Sequence, residues 1–377
     1  MESEISNFIM VWSSVFLSVC YCYGVAKVVP KGTIRLFLFL PVLCLFFILP
    51  LNLNSVNLGT PTVFFITWLA TFKLLLLVFD NGPLSDPSLS MFHFVFITCF
   101  PVIPQQCTNP ESSSIKQENP PKKTRNKDNL KKNVVGLRSP LHFAKKGLIL
   151  LFLIGLGSFK DKIPGDIVLF LICMFIYIGL DVMLGVVAII GQILLQTEFE
   201  LAFNDPFLST SLQDFWGHRW NRVTSTTLRA AVFRPTFYHV NQAVGQKCAA
   251  ALALMGSFLV SALMHEILFY YLGRVRPTWS TTLFFFIHGI LLIVESVVKN
   301  KVDAKWQLPP VIIGPLIFVF VICTFMWMPL QELLEYDVDK RALEEYAAVG
   351  VFVMDLSKAF CDVGHLILHS FQPSSTK

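Results

Sequence analysis

The chain carries little charge for its length. Asp, Glu, Lys and Arg make up 15% of its 377 residues, whereas hydrophobic residues make up 54%. A soluble domain carries about 25% charged residues, so this composition excludes an ordinary soluble protein, and the 14% of aromatic residues argue against disorder. At about 20 residues per bilayer crossing, eight or nine crossings use roughly half the chain. We therefore predict an all-α, multi-pass membrane protein with about 8 to 10 transmembrane helices.

The sequence also lacks the usual signatures of metal sites and soluble hydrolases. Its nine cysteines are scattered without a CxxC or CxxH pair, which argues against a zinc site or a disulfide framework. It contains no GxSxG, no P-loop and no HxxxxD pattern, which argues against hydrolase and acyltransferase chemistry of the soluble type. His365 and His369 have i, i+4 spacing but no third ligand nearby, so no metal site is predicted.

Positive charge is concentrated in one polar segment. Residues 105–146 carry ten Lys and Arg against three acidic residues, and residues 105–133 contain no aromatic side chain. Nucleic-acid-binding segments usually interleave aromatics or have a folded scaffold, so we expect no nucleic-acid partner. The segment is typical of a cytoplasmic loop, with a tether to anionic lipid as the alternative. It divides the chain into N-terminal spans (1–104), a basic loop (105–146) and a second membrane region (147–377).

Nine apolar runs are separated by turn-forming residues. They are Phe8–Ala26, Ile34–Leu51, Thr62–Phe79, Met91–Ile103, Leu141–Phe159, Ile167–Leu195, Ala249–Leu272, Ser280–Val298 and Val311–Leu330. We predict helices, because a backbone inside a bilayer must satisfy its own hydrogen bonds. Met91–Ile103 is too short for a perpendicular span and is expected to be tilted or re-entrant. Counting it as a crossing puts four spans before the basic loop, and the N-terminus on the cytoplasmic side.

The segment NDPFLSTSLQDFWGHRWN (204–221) lies outside the apolar runs but is rich in aromatic and hydrogen-bonding side chains. Trp favours the membrane interface, where one side of the ring is apolar and the other is wet. Two interpretations are open: a helix that anchors the fold, or the mouth of an active site. The side chains that would serve a site here are Gln213, Asp214, Trp216, His218, Arg219, Trp220 and Asn221.

His265 lies within the apolar run MGSFLVSALMHEILFYYL (255–272). An ionisable side chain inside a membrane helix is costly and is by default a candidate functional group. Ser261 is one helical turn earlier on the same face, so its hydroxyl is expected to fix the imidazole tautomer. We expect a neutral imidazole that can act as a general base. The alternative is a hydrogen-bonded packing histidine.

Three further polar residues interrupt apolar runs. His288 and Glu295 are seven residues apart on one helical face, and Asp181 interrupts the sixth run. All three are interpreted as buried polar contacts between helices. The alternative is a polar transport path lined by Asp181, His265 and Glu295.

Several motifs resemble one family. SLQDFWGHRWN (211–221), SALMHEILFYYLGRVRPTW (261–279) and FFFIHGILLIVE (284–295) are similar to the plant wax synthase branch of the membrane-bound O-acyltransferases, as is WLATFKLLLLVFDNGPLS (68–85). The resemblance implies a bundle of transmembrane helices around a central tunnel, and makes 147–377 the catalytic region.

The same resemblance implies residue roles. In the wider family a membrane histidine is the catalytic base and an asparagine on the preceding cytoplasmic element assists it, and these roles fall on His265 and Asn221. The substrate-binding residues are then expected to be Gln213, Asp214, Trp216, His218, Arg219, Trp220, Ser261, Glu266 and His288.

The activity implied is acyl transfer from acyl-CoA to the hydroxyl of a long-chain fatty alcohol, making wax esters in the endoplasmic reticulum membrane. Because a thioester is already activated, no cofactor is expected, and acyl-CoA is a co-substrate. The partners are acyl-CoA, the lipid alcohol and bilayer lipid; the sequence predicts no oligomeric state. Alternatives within the family are a diacylglycerol acetyltransferase and a sterol O-acyltransferase. Outside it, a transporter or a non-catalytic membrane scaffold remains open.

Overall fold

The computed structural model describes residues 2–104, 140–157, 159–299 and 310–370. Within these ranges every regular element is a helix, and the single ladder contact is an isolated antiparallel bridge between Pro104 and Phe199. The all-α prediction is confirmed. Most of the predicted basic loop, 105–139, lies outside the described residues.

The α-helices follow one another along the chain with short connections. In order they are α1 Glu2–Val28, α2 Thr33–Ile48, α3 Val56–Thr62, α4 Thr71–Val78, α5 Met91–Cys99, α6 Pro140–Gly157, α7 Gly165–Leu195, α8 Leu212–Asp214, α9 Arg222–Leu228, α10 Arg234–Val244, α11 Gln246–Gly273, α12 Ser280–Lys299, α13 Pro310–Trp327, α14 Pro329–Glu335 and α15 Val338–Ser370. Wider π-helical turns join some of them, at Val63–Ala70, Phe215–Arg219 and Arg229–Phe233.

Seven helical stretches of the described chain are long and apolar enough to cross a bilayer. They are Ser3–Val28, Thr33–Asn52, Val56–Val78, Gly165–Leu195, Gln246–Gly273, Ser280–Lys299 and Val311–Glu335. Large apolar side chains point away from the protein on these helices, for example Leu17, Phe37 and Ile193, each more than 70% exposed. Such surface is stable against lipid rather than water, so the multi-pass prediction is confirmed.

Helix α5 is too short to cross the membrane, as its sequence indicated. Ser90 caps its N-terminus, since the Ser90 hydroxyl accepts the His93 amide hydrogen, and the helix ends at Cys99. The buried Lys73 ammonium donates to the carbonyl oxygens of Ile97 and Phe100, both at 2.6 Å. The last carbonyls of a helix have no partner within the helix, so Lys73 lets α5 end inside the protein.

One face of the bundle carries the N-terminus. Glu4 accepts hydrogen bonds from Asn54, and the Asn54 carbonyl accepts one from Arg341 at 2.8 Å. On the same face Lys160, just before α7, pairs with Asp339 at 3.2 Å. We call this the N-terminal face.

The other face carries residues 199–245 and is here called the basic face. Helix α7 reaches it at Leu195, whose carbonyl oxygen lies 3.3 Å from His93 Nε2. Glu295, near the end of α12, accepts the backbone amides of Leu212 at 3.2 Å and Gln213 at 2.8 Å. Glu295 thereby fixes the start of the 212–221 segment against α12.

Residues 2–104 contain three candidate crossings instead of the predicted four. Because α5 does not cross, α1, α2 and the continuous α3–α4 helix are the only complete crossings among residues 2–104. An odd number of crossings places the N-terminus opposite the basic face. Arg274, at the end of α11, donates to the Leu51 and Leu53 carbonyls on the N-terminal face. If the basic face is cytoplasmic, the N-terminus is on the far side.

Asp181 does not stand free inside the membrane. It forms an ion pair with Lys146, which joins α6 to α7. This is the buried polar contact between helices that its sequence context predicted.

Substitution of Gly314 by alanine is expected to destabilise the bundle. A Cβ at this position of α13 would lie 2.4 Å from the Phe207 carbonyl oxygen and 3.0 Å from that of Ser209, both backbone atoms that cannot rotate away. Overpacking of this kind costs about 1–3 kcal/mol. Thermal unfolding in detergent should show a lower midpoint for Gly314→Ala. Gly155→Ala in α6, which meets nothing within 4 Å, is the control, and equal midpoints for the two variants would contradict the packing.

Candidate active site

A cavity of about 1070 Å³ lies between the helices of the bundle. It is bordered by α3, α6, α7, α9, α11, α12, α13 and α15, and apolar side chains dominate its wall. Three charged side chains line it, namely Lys160, Arg229 and Asp339. Lys160 and Asp339 pair with each other on the N-terminal face. The cavity thus offers a mostly apolar interior that reaches polar groups at both faces.

His265 lines this cavity from α11. Its Nδ1 lies 2.8 Å from the backbone carbonyl oxygen of Ser261. A carbonyl oxygen only accepts hydrogen bonds, so Nδ1 carries the proton and Nε2 of the neutral ring keeps a lone pair. The expectation about Ser261 is corrected in one respect: its carbonyl, rather than its hydroxyl, fixes the tautomer, because the carbonyl four residues earlier faces the ring.

Two aromatic rings hold the imidazole. The Trp68 ring centroid is 5.0 Å away in an edge-on arrangement, and that of Phe285 is 4.6 Å away. Trp68 comes from the π-helical turn between α3 and α4, and Phe285 from α12. The ring is therefore supported by three separate parts of the chain.

The second wall of the site is the turn that carries Asn221. Its backbone adopts a left-handed conformation with φ 37° and ψ 66°, which asparagine tolerates better than most residues. Its Oδ1 accepts the Thr224 amide hydrogen at 3.2 Å and so caps α9. Flanking backbone bonds pin the turn, with Arg222 N to Ala202 O at 2.7 Å and Asn204 N to Arg219 O at 3.0 Å.

Capping uses only one end of the Asn221 amide. Its Nδ2 makes no hydrogen bond to any of the described residues, while the side chain lines the cavity. An amide nitrogen is a hydrogen-bond donor. The site therefore combines a proton acceptor on His265 with an available donor on Asn221.

The two tryptophans of the 211–221 motif, Trp216 and Trp220, form an aromatic wall. Trp220 stacks on Phe215 with centroids 5.4 Å apart and on Tyr177 at 5.7 Å. Trp216 meets Phe285 at 6.0 Å, the ring that also touches His265. This wall joins the basic-face segment to the membrane helices around the imidazole.

Six of the residues chosen from the sequence line the same cavity. They are Gln213, Trp216, Trp220, Asn221, Ser261 and His265. Their proximity is a finding of the structure, whereas their roles in binding or catalysis stay predictions.

Three others lie beside the cavity rather than in its wall. Asp214 accepts from Arg219 Nε at 2.7 Å and lies 3.6 Å from His218 Nδ1. Burial alone would raise the pKa of Asp214, but the Thr210 amide and the bond and charge of Arg219 outweigh it and hold that pKa below its ordinary value. The Arg219 charge is thus largely neutralised within the protein.

Glu266 and His288 also lie outside the cavity wall. Glu266 accepts from the backbone and hydroxyl of Thr282, each at 2.9 Å, and so links α11 to α12. His288 is fully buried, with Nδ1 2.8 Å from the Phe284 carbonyl oxygen and Nε2 3.4 Å from Thr324. His288 and Glu295 do not pair, because Glu295 instead binds the 212–213 backbone.

Sequence reasoning missed several cavity residues. Trp68 belongs to the motif at 68–85, but nothing in the neighbouring sequence predicts that it packs on His265. Ser225 and Arg229 follow Asn221 at steps of four residues, which is the spacing of one helical face. This spacing could have indicated from the sequence that they line the cavity with Asn221. Among the described residues no group of three His, Cys, Asp or Glu could hold a metal ion.

A helical membrane bundle whose apolar cavity presents an imidazole is suited to chemistry on a lipid. Comparison with known proteins agrees: residues 199–287 match the membrane-bound O-acyltransferase family. The chain is 37% identical to the long-chain-alcohol O-fatty-acyltransferase of Simmondsia chinensis over 346 residues, covering 92% of this chain and 94% of the relative.

Two further relatives come from Arabidopsis thaliana. The acyl-CoA–sterol O-acyltransferase 1 is 36% identical over 355 residues, covering 94% of this chain and 98% of that protein. The probable long-chain-alcohol O-fatty-acyltransferase 1 is 35% identical over 362 residues, covering 96% and 99%. The chain therefore belongs to the membrane-bound O-acyltransferase family and is an acyltransferase.

Proposed function

We propose that the protein transfers a fatty acyl group from acyl-CoA to the hydroxyl of a long-chain fatty alcohol, making wax esters in the endoplasmic reticulum membrane. The observation that carries the proposal is the His265 tautomer, which leaves Nε2 as a proton acceptor in the wall of a mostly apolar cavity. Relatives named as long-chain-alcohol O-fatty-acyltransferases support the choice of acceptor.

The proposed reaction is a single displacement. The alcohol oxygen attacks the thioester carbonyl carbon while His265 Nε2 takes the hydroxyl proton. The C–S bond then breaks, the proton passes to the departing thiolate, and the products are an ester and free CoA. General-base catalysis of this kind contributes about 10²–10⁴-fold in rate. Because the thioester is already activated, we expect no cofactor.

Asn221 is proposed to stabilise the oxygen of the thioester carbonyl. Its Oδ1 is held by the Thr224 amide, so its NH₂ group is left to donate. Negative charge develops on the carbonyl oxygen in the transition state, and a donor fixed in advance stabilises that charge most. The left-handed turn that presents Asn221 is pinned by backbone hydrogen bonds, which fixes the donor before substrate arrives.

The walls are proposed to select a lipid acceptor and exclude water. The apolar faces of α6, α7 and α13 suit a long alkyl chain. Water in the cavity would hydrolyse the thioester, and a mostly apolar wall disfavours water and so suppresses that side reaction.

A sterol is the second candidate acceptor. It is favoured by the relative named acyl-CoA–sterol O-acyltransferase 1, whose identity to this chain, 36%, is close to the 37% of the relative named long-chain-alcohol O-fatty-acyltransferase. The cavity volume of about 1070 Å³ accommodates either acceptor.

Expression in a yeast that lacks its own neutral-lipid synthesis separates these acceptors. Cells fed a long-chain alcohol should accumulate wax esters, whereas unfed cells should not. Lipid extracts are analysed by mass spectrometry, with the His265→Ala variant as the control. Sterol esters without wax esters would overturn the fatty-alcohol proposal and support the second candidate.

A further inference from the structure

The basic face carries four arginines between residues 199 and 245, and two of them already have ion-pair partners. Arg219 donates to Asp214 at 2.7 Å and to the Asn204 carbonyl at 3.2 Å. Arg222 forms an ion pair with Glu200 at 2.6 Å. An arginine whose charge is neutralised by a carboxylate of the protein attracts an anionic ligand only weakly. Arg219 and Arg222 are therefore poor candidates for binding one.

Arg229 differs from Arg219 and Arg222 in its surroundings. Its side chain is exposed and lines the cavity. Within the described part of the chain it makes no ion pair and no side-chain hydrogen bond. The other cation in the cavity wall, Lys160, is matched by Asp339. Arg229 is therefore the one cavity-lining cation of the described residues that has no counter-ion.

The helix that carries Arg229 presents one continuous face to the cavity. Asn221, Thr224, Ser225, Leu228 and Arg229 all line it, which is the spacing of a single helical face. Asn221 lies at one end of this face and Arg229 two turns further on. The Arg229 cation and the Asn221 amide, which is proposed to donate to the thioester carbonyl, are thus on the same wall of the cavity and are separated along its length.

The separation of Arg229 from Asn221 follows from the helix that they share. Arg229 comes eight residues after Asn221, the N-cap of this helix, which is about 12 Å along a helix axis. Four residues of extended peptide span about that distance, and the pantetheine arm that joins the CoA thioester to its phosphates has a main chain of similar length.

We infer that Arg229 binds the phosphate groups of the acyl donor at the basic-face mouth of the cavity. The assignment rests on the proposed use of acyl-CoA. A guanidinium makes charge-assisted, often bidentate hydrogen bonds to phosphate. With the phosphates held at Arg229, the pantetheine arm runs along the α9 face and delivers the thioester to Asn221 and His265. Arg229 thus sets the direction in which the donor enters.

The test compares two acyl donors on purified protein in detergent, palmitoyl-CoA and palmitoyl-pantetheine, the second of which has no phosphate. Arg229→Gln should raise KM for palmitoyl-CoA by about 10- to 100-fold, the range expected for loss of a hydrogen bond between charged groups. Its kcat and its KM for palmitoyl-pantetheine should stay at the wild-type values. Arg229→Lys should retain part of the affinity, because it keeps the charge without the planar fork.

Arg234→Gln is the matched control. Arg234 is an exposed arginine five residues further on that does not line the cavity, and its loss should leave both KM values unchanged. A wild-type KM for palmitoyl-CoA in Arg229→Gln would overturn the assignment. So would an equal rise in KM for both donors, which would mean that Arg229 only supports the fold.

A binding measurement separates this inference from the proposed function. Free CoA should raise the unfolding temperature of the His265→Asn variant, which needs no turnover, and adding Arg229→Gln should remove that shift. If wax esters form but the shift persists without Arg229, the assignment fails and the proposed function stands. If no acyl transfer occurs but the shift requires Arg229, the proposed function fails and the assignment stands.

Discussion

Replacing His265 by alanine is expected to reduce ester formation by about 10²–10⁴-fold, the contribution of a general base. The ring is the one imidazole in the described cavity wall, and its Nδ1 is engaged with the Ser261 carbonyl. No neighbouring side chain in the described wall offers a comparable neutral proton acceptor. Microsomes from cells expressing the variant are assayed with palmitoyl-CoA and hexadecanol, and wax ester is measured at equal protein amount.

Two additional variants keep this prediction falsifiable if the alanine variant folds poorly. His265→Asn fills part of the same space but cannot act as the base, so it should be as inactive as His265→Ala. His239→Ala removes an exposed histidine of α10 that does not line the cavity, and it should retain wild-type activity. Near-normal activity of both His265 variants would remove this residue from the mechanism.

Replacing Asn221 by aspartate is expected to lower kcat by about 10²–10³-fold, the cost of losing one donor at a developing oxyanion. Aspartate is nearly isosteric, caps helices as well as asparagine, and also tolerates the left-handed backbone at φ 37°. It therefore keeps the bond to the Thr224 amide. It loses the NH₂ donor and places a negative charge where negative charge develops.

The structural role of Asn221 is controlled by stability and by a matched substitution. The unfolding temperature of Asn221→Asp in detergent should stay close to that of the wild type, because the cap is kept. Asn241→Asp makes the same chemical change on α10, outside the cavity, and should leave kcat unchanged. Full activity of Asn221→Asp would exclude its amide from the reaction.

The sequence predicted the membrane-crossing helices well because each is a long apolar run bounded by turn residues. It counted one crossing too many before the basic loop. Hydropathy marks Met91–Ile103 as apolar, but only the structure shows Lys73 meeting the carbonyls at the end of α5, inside the protein. A helix that ends inside the protein does not carry the chain to the other side of the membrane. One crossing more or less reverses the side of the membrane that is inferred for the N-terminus.

The site was predicted in part, for a similar reason. His265 and Asn221 were found because motif and chemistry agree at each, and the cavity brings them together. Asp214 and Arg219 belong to the same motif, but they bond to each other, which spacing alone does not reveal. Trp68 reaches His265 only through packing between helices that are distant in sequence. Contacts of that kind depend on the tertiary fold.

The timing of thiol release tests the central claim most directly. Purified protein is mixed with palmitoyl-CoA, and free thiol is followed before and after hexadecanol is added. With a histidine base, no thiol should appear until alcohol is present; thiol and wax ester should then form at equal rates, and His265→Asn should yield neither. One equivalent of thiol per chain released before alcohol is added would instead indicate a covalent acyl-enzyme and contradict direct transfer.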